Sequence, residues 1–251
     1  GDLLHQQNFT GNGKIIAVMD NGFPGVNTTQ PFQRLRDNNL ILGGYDFVDR
    51  NEDVYDGGTH GTMVLSTMGG FKEAELVGTA PDAAYYLFKT EANTYENPLE
   101  ESLWVEAAEL ADSLGVDVIN TSLGYSTFDN LAYNYSYADM NGITTFIARG
   151  ADLAFSRGMI CVSSAGNSGN SSWQYISTPA DAINTLTVGA VNASGVYASF
   201  SSIGPSSDGR VKPDVDAQGV SSTVATSNGS IANANGTSFS GPITAGMVAC
   251  L

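Results

Sequence analysis

The chain has 251 residues, which is long enough to bury a large single hydrophobic core. Its 26 acidic and 10 basic residues give a net charge of −16, so nucleic-acid phosphates and anionic membrane surfaces repel it. No run of about 18 apolar residues occurs that could span a membrane. We therefore expect neither a nucleic acid nor a membrane as a partner. The N-terminal residues also lack the basic and apolar regions of a signal peptide.

The first predicted element is a buried strand, because Ile15–Met19 is a continuous apolar run. The polar turn Asp20–Gly22 follows at its carboxyl end, the edge of an open α/β sheet where sites are built. A second strand is predicted over Leu40–Val48. An acidic loop overlaps its end and contains Asp46, Asp49, Glu52, Asp53 and Asp56. For these carboxylates we favour a solvated surface loop over a cation site.

The chain has two histidines, His5 and His60. His5 lies in a polar N-terminal stretch without a supporting motif, whereas His60 lies in the glycine-rich turn Gly57–Gly61. That turn leads into a predicted helix over Val64–Met68. Imidazole exchanges a proton near neutral pH, so His60 is the candidate general base of the chain.

A strand, helix and strand are predicted next, with Ala84–Lys89 as the first strand. Asn97 is predicted as the N-cap of the helix, with Glu100 in a capping-box-like pattern, and Gly115 ends the helix. Apolar residues at helical spacing mark one face of it, namely Leu99, Leu103, Ala107, Leu110 and Leu114. The second strand is Val116–Asn120. Such a unit implies a parallel sheet.

The following segment, Tyr125–Gly142, is rich in aromatic and Asn residues and predicts a long surface loop. Thr144–Arg157 predicts a helix. Strand Ile160–Ser163 then runs into a second glycine-flanked polar turn, Ser164–Gly169. Leu186–Val191 predicts another buried strand.

Towards the C-terminus, Lys212–Val215 is turn-rich and Ser221–Thr226 predicts a strand. Helix-compatible residues Ile243–Leu251 end the sequence, and we expect this helix to be truncated at the last residue. Ser238 would lie at its N-terminus, where free backbone N–H groups favour developing negative charge. Considered alone, however, a serine before a helix is more often an N-cap than a nucleophile.

The two cysteines, Cys161 and Cys250, each lie in an apolar run. We favour two buried free thiols, while a disulfide between them stays an open alternative that spacing cannot decide. Neither cysteine has the spacing of a metal site, so cysteine usage does not indicate the compartment.

Four polar residues supply the chemical groups that acyl transfer by serine requires: Asp20, His60, Asn167 and Ser238. A serine hydroxyl is too weak an acid to attack unaided, so a base such as imidazole must take its proton. A carboxylate holds the ring in the right tautomer and stabilises it once charged. Hydrogen-bond donors must meet the oxygen that becomes negative, and an Asn side chain and a helix N-terminal N–H can supply two.

With these residues in this order, the sequence resembles the subtilisin-like serine peptidases (subtilases). The main motifs are Val18–Gly22, His60–Thr62, Ser164–Asn167 and Gly236–Pro242. Further similar segments are Gly78–Pro81, Asn120–Gly124, Val188–Val191, Ser199–Pro205 and Lys212–Val215. The resemblance implies one catalytic domain over residues 1–251. It also implies an α/β three-layer sandwich around a mostly parallel seven-stranded sheet.

The resemblance assigns a role to each candidate. Asp20 would orient the base, His60 would act as general base and then acid, and Ser238 would be the nucleophile. Asn167, with the Ser238 N–H, would bind the oxyanion. Substrate backbone would pair with the segment made of Ser122, Leu123 and Gly124. The first specificity pocket would have a wall made of Ser164, Ala165 and Gly166.

The function that follows is a secreted, cell-surface or periplasmic serine endopeptidase acting on polypeptides, with a pro-segment or further domains outside these residues. No cofactor is implied for the chemistry. A structural calcium ion stays open, because the family's ligands do not map onto this sequence residue by residue. Phe239 and Met63 depart from the family pattern and could alter packing beneath the site. Two alternatives remain, a catalytically silent binding domain of the same fold and an esterase or amidase with the same triad.

Overall fold

The computed structural model describes residues 1–251. The strands, in chain order, are β1 Ile15–Asp20, β2 Ile41–Asp46, β3 Phe71–Lys72, β4 Leu76–Val77, β5 Ala84–Lys89, β6 Val118–Thr121, β7 Ile160–Ser164, β8 Leu186–Val191, β9 Val215–Gln218, β10 Ser222–Ala225 and β11 Ile231–Ala234. The α-helices are α1 Asp2–His5, α2 Gln33–Asp37, α3 His60–Gly69, α4 Leu99–Ser113, α5 Phe146–Ser156 and α6 Thr237–Ala249. No helix among them is both long enough and apolar enough to cross a bilayer.

Seven strands form one parallel sheet in the order β2-β5-β1-β6-β7-β8-β9. The register pairs Met19 with Thr121 and Thr121 with Ser163, so β1, β6 and β7 end at the same edge. The polar turns that follow these three strands therefore meet at the carboxyl edge of the sheet. The α/β sandwich expected from the sequence is confirmed, and its sheet is parallel throughout.

Helices cover both faces of the sheet, which explains why its central strands are apolar without alternation. On one face α3 packs over β1 and against α6, while α6 lies over β6, β7, β8 and β9. Their core includes Val18, Tyr85 and Phe239. On the other face α4 and α5 pack over β1, β6 and β7, and this core includes Trp104 and Cys161. Both cysteines are free and buried, as predicted.

The N-terminus of α4 carries the predicted capping bonds, but the helix begins one residue later than expected. The Asn97 side chain accepts a bond from Leu99 N at 2.9 Å, and Glu100 accepts one from Asn97 N at 3.0 Å. The predicted apolar face is wrong at its first position, because Leu99 is 51% exposed while Leu103 is 2% exposed. Leu99 lies in the first turn, before the helix packs against the sheet.

The segment Tyr125–Gly142 is irregular, as predicted, but it is more buried than the expected surface loop. It contains two short 3-10 turns, Leu131–Tyr133 and Tyr137–Asp139, and buries Tyr125, Phe128 and Met140. The rings of Tyr125 and Phe128 stack with centroids 6.0 Å apart. These aromatic contacts come from irregular backbone, so no periodic pattern in the sequence predicts them.

The C-terminal region also differs from the prediction. α6 starts at Thr237 and continues through Pro242, six residues before the predicted start at Ile243. β9 was not predicted, and only its first residue, Val215, falls in the segment expected to be turn-rich. It is a short edge strand with exposed residues, so it leaves no apolar run in the sequence. β11 was not predicted, and it pairs with β10 as a small antiparallel hairpin.

Burial along α4 predicts a contrast between two identical substitutions. Leu103→Ala should lower the free energy of unfolding by about 2–5 kcal/mol, because it removes buried methyl groups and leaves a cavity. Leu99→Ala should change it by less than about 0.5 kcal/mol, because Leu99 is exposed. Denaturant unfolding of both variants measures this, and equal losses would contradict the packing described for the helix.

Candidate active site

Asp20, the last residue of β1, and His60, the first residue of α3, are in direct contact. His60 Nδ1 lies 2.8 Å from Oδ1 and 3.0 Å from Oδ2 of the Asp20 carboxylate, which is buried. Asn21 N also donates to Asp20 Oδ1 at 2.9 Å. Gly61 makes this approach sterically possible, since a Cβ there would stand 2.5 Å from Gly22 O and 2.9 Å from the Asp20 Cβ.

The carboxylate of Asp20 raises the pKa of His60 above its usual value. Its negative charge is the largest cause, burial of the ring acts in the opposite direction, and the hydrogen bond to Asp20 adds to the increase. With Nδ1 bonded to the carboxylate, the neutral ring carries its proton on Nδ1 and leaves Nε2 free to accept one. This is the tautomer that a general base requires.

Ser238 lies in the first turn of α6 and is 9% exposed. Its Oγ donates to Ser122 O at 3.3 Å, and no hydrogen bond joins it to His60. The next residue, Phe239, has its ring centroid 5.9 Å from that of the His60 ring. The interpretation of Ser238 as an N-cap is wrong, since Gly236 precedes the helix at that position.

A proline inside α6 leaves one helix carbonyl without its usual partner, and a residue that follows strand β6 bonds it instead. Pro242 has no N–H, so it cannot donate the usual helical bond to Ser238 O, four residues earlier. Ser122 Oγ donates to Ser238 O instead, at 3.0 Å, and Asn120 Nδ2 donates to Ser122 Oγ at 3.1 Å. The backbone of Ser238 is therefore held by the end of a buried strand.

The side-chain amide of Asn167 has a fixed orientation. Its Oδ1 accepts bonds from Thr237 N at 2.8 Å and from Thr237 Oγ1 at 3.0 Å. Thr237 Oγ1 in turn accepts a bond from Gly166 N at 3.2 Å. Since the oxygen is taken, Asn167 presents its NH₂ group as a donor beside Ser238. Thr237 was not predicted as a site residue, although its position directly before the candidate nucleophile Ser238 could have indicated it.

A cavity of about 150 Å³ adjoins these groups. It is lined by Ser122, Leu123, Gly124, Ser126, Ser164, Gly166, Asn167, Ser168, Ser177, Thr237 and Ser238, none of them charged. Ala165, predicted to form part of a specificity-pocket wall, is not among the residues that line this cavity, since it is fully buried and packs with Ile176 and Ala180. The serines at 126, 168 and 177 were missed, since nothing local distinguishes them from other serines in turns.

Two clusters of acidic side chains could in principle bind a metal cation. The carboxylates of Glu91, Glu96 and Glu100 lie within 4.8 Å of one another. Glu100 already accepts bonds from backbone N–H groups of residues 92 and 97, and Tyr125 donates to Glu91. These carboxylates are the candidate ligands that the chain offers to a hard cation such as calcium.

The second group is the acidic loop after β2. Glu52 and Asp53 are exposed, as expected of a solvated loop. The same expectation is wrong for Asp46, which is fully buried at the end of β2. Its carboxylate lies 2.8 Å from Lys89 Nζ, so an ammonium group is the counter-ion of this side chain.

Comparison with known proteins gives a consistent relationship over nearly the whole chain. The model of the subtilase family matches residues 11–251. The chain is 33% identical to subtilisin NAT of Bacillus subtilis subsp. natto, over 99% of this chain and 58% of that relative. It is also 33% identical to a subtilisin of Bacillus pumilus, over 99% of this chain and 80% of the relative. The chain thus spans somewhat more than half the length of the first relative.

Solved structures agree with this relationship at the level of the fold. A cold-adapted subtilisin-like serine proteinase superposes with a TM-score of 0.73 at 24% identity, covering 96% of this chain and 76% of the other. The prenylagaramide maturation protease PagA gives a TM-score of 0.75 at 23% identity, covering 99% and 78%. Since the family model and the sequence relatives cover almost every residue, the chain belongs to the subtilase family.

Proposed function

We propose that the protein is a serine endopeptidase that hydrolyses peptide bonds through an acyl-enzyme intermediate. The observation that carries the proposal is the contact of 2.8 Å between the His60 ring and the buried carboxylate of Asp20. It orients Nε2 as a base next to the helix turn that carries Ser238. Membership in the subtilase family supports the same assignment.

In the proposed first step, His60 Nε2 takes the proton of Ser238 Oγ while that oxygen attacks the substrate carbonyl carbon. The Ser238 hydroxyl first leaves Ser122 O and turns towards His60, a rotation about one side-chain bond. The carbonyl oxygen becomes negative and accepts bonds from Asn167 Nδ2 and Ser238 N–H.

In the second step, the tetrahedral intermediate collapses and the peptide C–N bond breaks. His60 gives its proton to the leaving amine, and the acyl group stays on Ser238. Water then attacks the ester, with His60 again acting as base, and the free acid leaves. No cofactor takes part in this sequence. A calcium ion held by carboxylates would stabilise the fold without entering the chemistry.

The substrate is an extended polypeptide whose backbone pairs with the edge formed by Ser122, Leu123 and Gly124. The side chain that precedes the scissile bond enters the cavity bounded by Ser164 and Gly166. Because the cavity is small and lined by uncharged groups, we expect it to take small or medium uncharged side chains. A charged side chain would lose its water without gaining a counter-charge.

We also propose that the protein acts outside the cytoplasm, as a secreted or cell-surface enzyme, together with a pro-segment or further domains. The strongly acidic composition, which favours solubility, is compatible with that location. This chain covers only 58% of subtilisin NAT, and a pro-segment or further domains would be compatible with that difference in length.

A fluorophosphonate probe tests the nucleophile. The wild-type protein should be labelled once, and Ser238→Ala should abolish labelling, because only an activated serine attacks the probe. Ser240→Ala is a matched control in the same helix, since Ser240 is buried and bonds only within the helix, and it should keep the label. No labelling of folded wild type would favour a silent binding domain, and hydrolysis of small esters without casein would favour an esterase.

Asn167→Ala should lower kcat by about 10² to 10³-fold with a much smaller change in KM, because the lost donor acts on the developing oxyanion. Asn170→Ala is the control, because Asn170 is exposed and does not line the cavity. Steady-state kinetics on a peptide substrate measures both variants. Equal effects on kcat for the two, or an effect of Asn167→Ala on KM alone, would contradict the oxyanion role.

The pH dependence of activity should follow His60. Protonated His60 cannot accept the serine proton, so activity should fall as pH decreases through its pKa, which Asp20 raises above the usual value. NMR titration of the inactive Ser238→Ala protein should give this pKa, and Asp20→Asn should lower it. A constant rate from pH 5 to 8 would contradict the assignment.

A further inference from the structure

A lysine ammonium group lies among three carboxylates at the carboxyl edge of the sheet. Lys89 Nζ is 2.8 Å from Asp46 Oδ2, 3.0 Å from Asp56 Oδ1 and 3.3 Å from Asp49 Oδ2. The Lys89 and Asp46 side chains are 5% and 0% exposed, whereas those of Asp49 and Asp56 are 61% and 59% exposed. One buried ion pair is thus joined by two carboxylates at the surface.

The position of Lys89 in the sheet links this cluster to the proposed active site. β5 lies between β2 and β1, and the register places Lys89 beside Asp46 on one side and beside Asp20 on the other. Asp46 is itself fixed, because its Oδ1 accepts bonds from Val48 N at 2.8 Å and Asp49 N at 2.9 Å. Lys89 therefore extends from a rigid part of the sheet.

Of the two exposed carboxylates, only Asp56 belongs to the segment that leads directly into His60. The backbone after Asp56 packs closely on the turn after β1, where Gly58 N donates to Asn21 O at 2.9 Å. A Cβ on Gly57 would stand 2.6 Å from Asn21 O and 3.2 Å from Lys89 Cε. The segment 56–59 is thus held between Lys89 and the residues that follow Asp20.

The ammonium remains charged in this setting. Burial alone would lower the pKa of Lys89, but the carboxylates of Asp46, Asp56 and Asp49 around the ammonium outweigh it and raise the pKa. Without this charge, three carboxylates would face one another, and the buried one would have no counter-ion, which is strongly unfavourable. The segment 56–59 would then lose its attraction to the sheet.

We propose that Lys89 is a positioning residue, whose contact with Asp56 holds segment 56–59 and thereby sets the His60 ring against Asp20. Loops with several carboxylates commonly bind a metal ion. Here the Lys89 ammonium group takes the place that a metal ion would have among the carboxylates. The inference rests on the proposed function for its kinetic readout, although the geometry of His60 can be followed without catalysis.

The two exposed carboxylates provide a matched pair of variants. Asp56→Asn and Asp49→Asn each weaken one contact of Lys89 at nearly equal exposure, so each should cost a similar, small amount of stability. Only Asp56→Asn should lower kcat, by about tenfold and with KM within about twofold, because a misplaced base slows the chemical step. Asp49→Asn should leave kcat within about twofold.

Lys89→Met should lower kcat at least as much as Asp56→Asn, and the double variant should be no slower than Lys89→Met alone, because both act through one contact. If Lys89→Met fails to fold, the comparison of Asp56→Asn with Asp49→Asn still tests the positioning role of Lys89. Equal kcat values for those two variants, or multiplicative losses in the double variant, would overturn the proposal.

A second readout separates this inference from the proposed function. In the Ser238→Ala background, the NMR signals of the His60 ring should shift in Asp56→Asn and stay unchanged in Asp49→Asn. If wild type does not hydrolyse peptides, the proposed function fails, but this comparison still tests the positioning role. Unchanged His60 signals in both variants would overturn it.

Discussion

The burial of the Asp20 carboxylate is the constraint on which the rest of the site depends. A buried charge is tolerated only when it is paired and hydrogen-bonded. Asn21 N and His60 Nδ1 supply those partners, and they can do so only if α3 begins next to the end of β1. That approach requires a glycine at position 61, since a Cβ there would collide with the turn after β1.

The parallel sheet then brings the remaining groups to the same edge. β6 ends beside β1 and continues into Ser122, while β7 ends in Ser164 and leads to Asn167. α6 is attached to both strands, through the bonds between Ser122 and Ser238 and through those from Thr237 to Asn167. The side chains proposed for catalysis are thus supported by buried strands and a packed helix rather than by free loops.

Much of this arrangement could be predicted from local sequence. Continuous apolar runs predicted the central strands, and the polar residues after these runs identified Asp20 and Asn167 as candidates. Both predictions succeed because each depends on only a few consecutive residues. The errors have a common cause in contacts between distant residues. Burial of Asp46 depends on Lys89, which comes 43 positions later (89 − 46), and burial of Tyr125 depends on the packing of an irregular segment. The start of α6 was misplaced because Pro242 normally argues against a helix interior, and its missing bond is compensated by Ser122.

The attachment of α6 also fixes when the site can form. Asp20 and His60 belong to the first quarter of the chain, while Thr237 and Ser238 belong to its last helix, which packs beside α3 on the same face of the sheet. Contacts between residues this far apart in sequence form late, because a long loop must close before they stabilise anything. Until α6 docks, the serine and the histidine are therefore parts of one chain but not of one site.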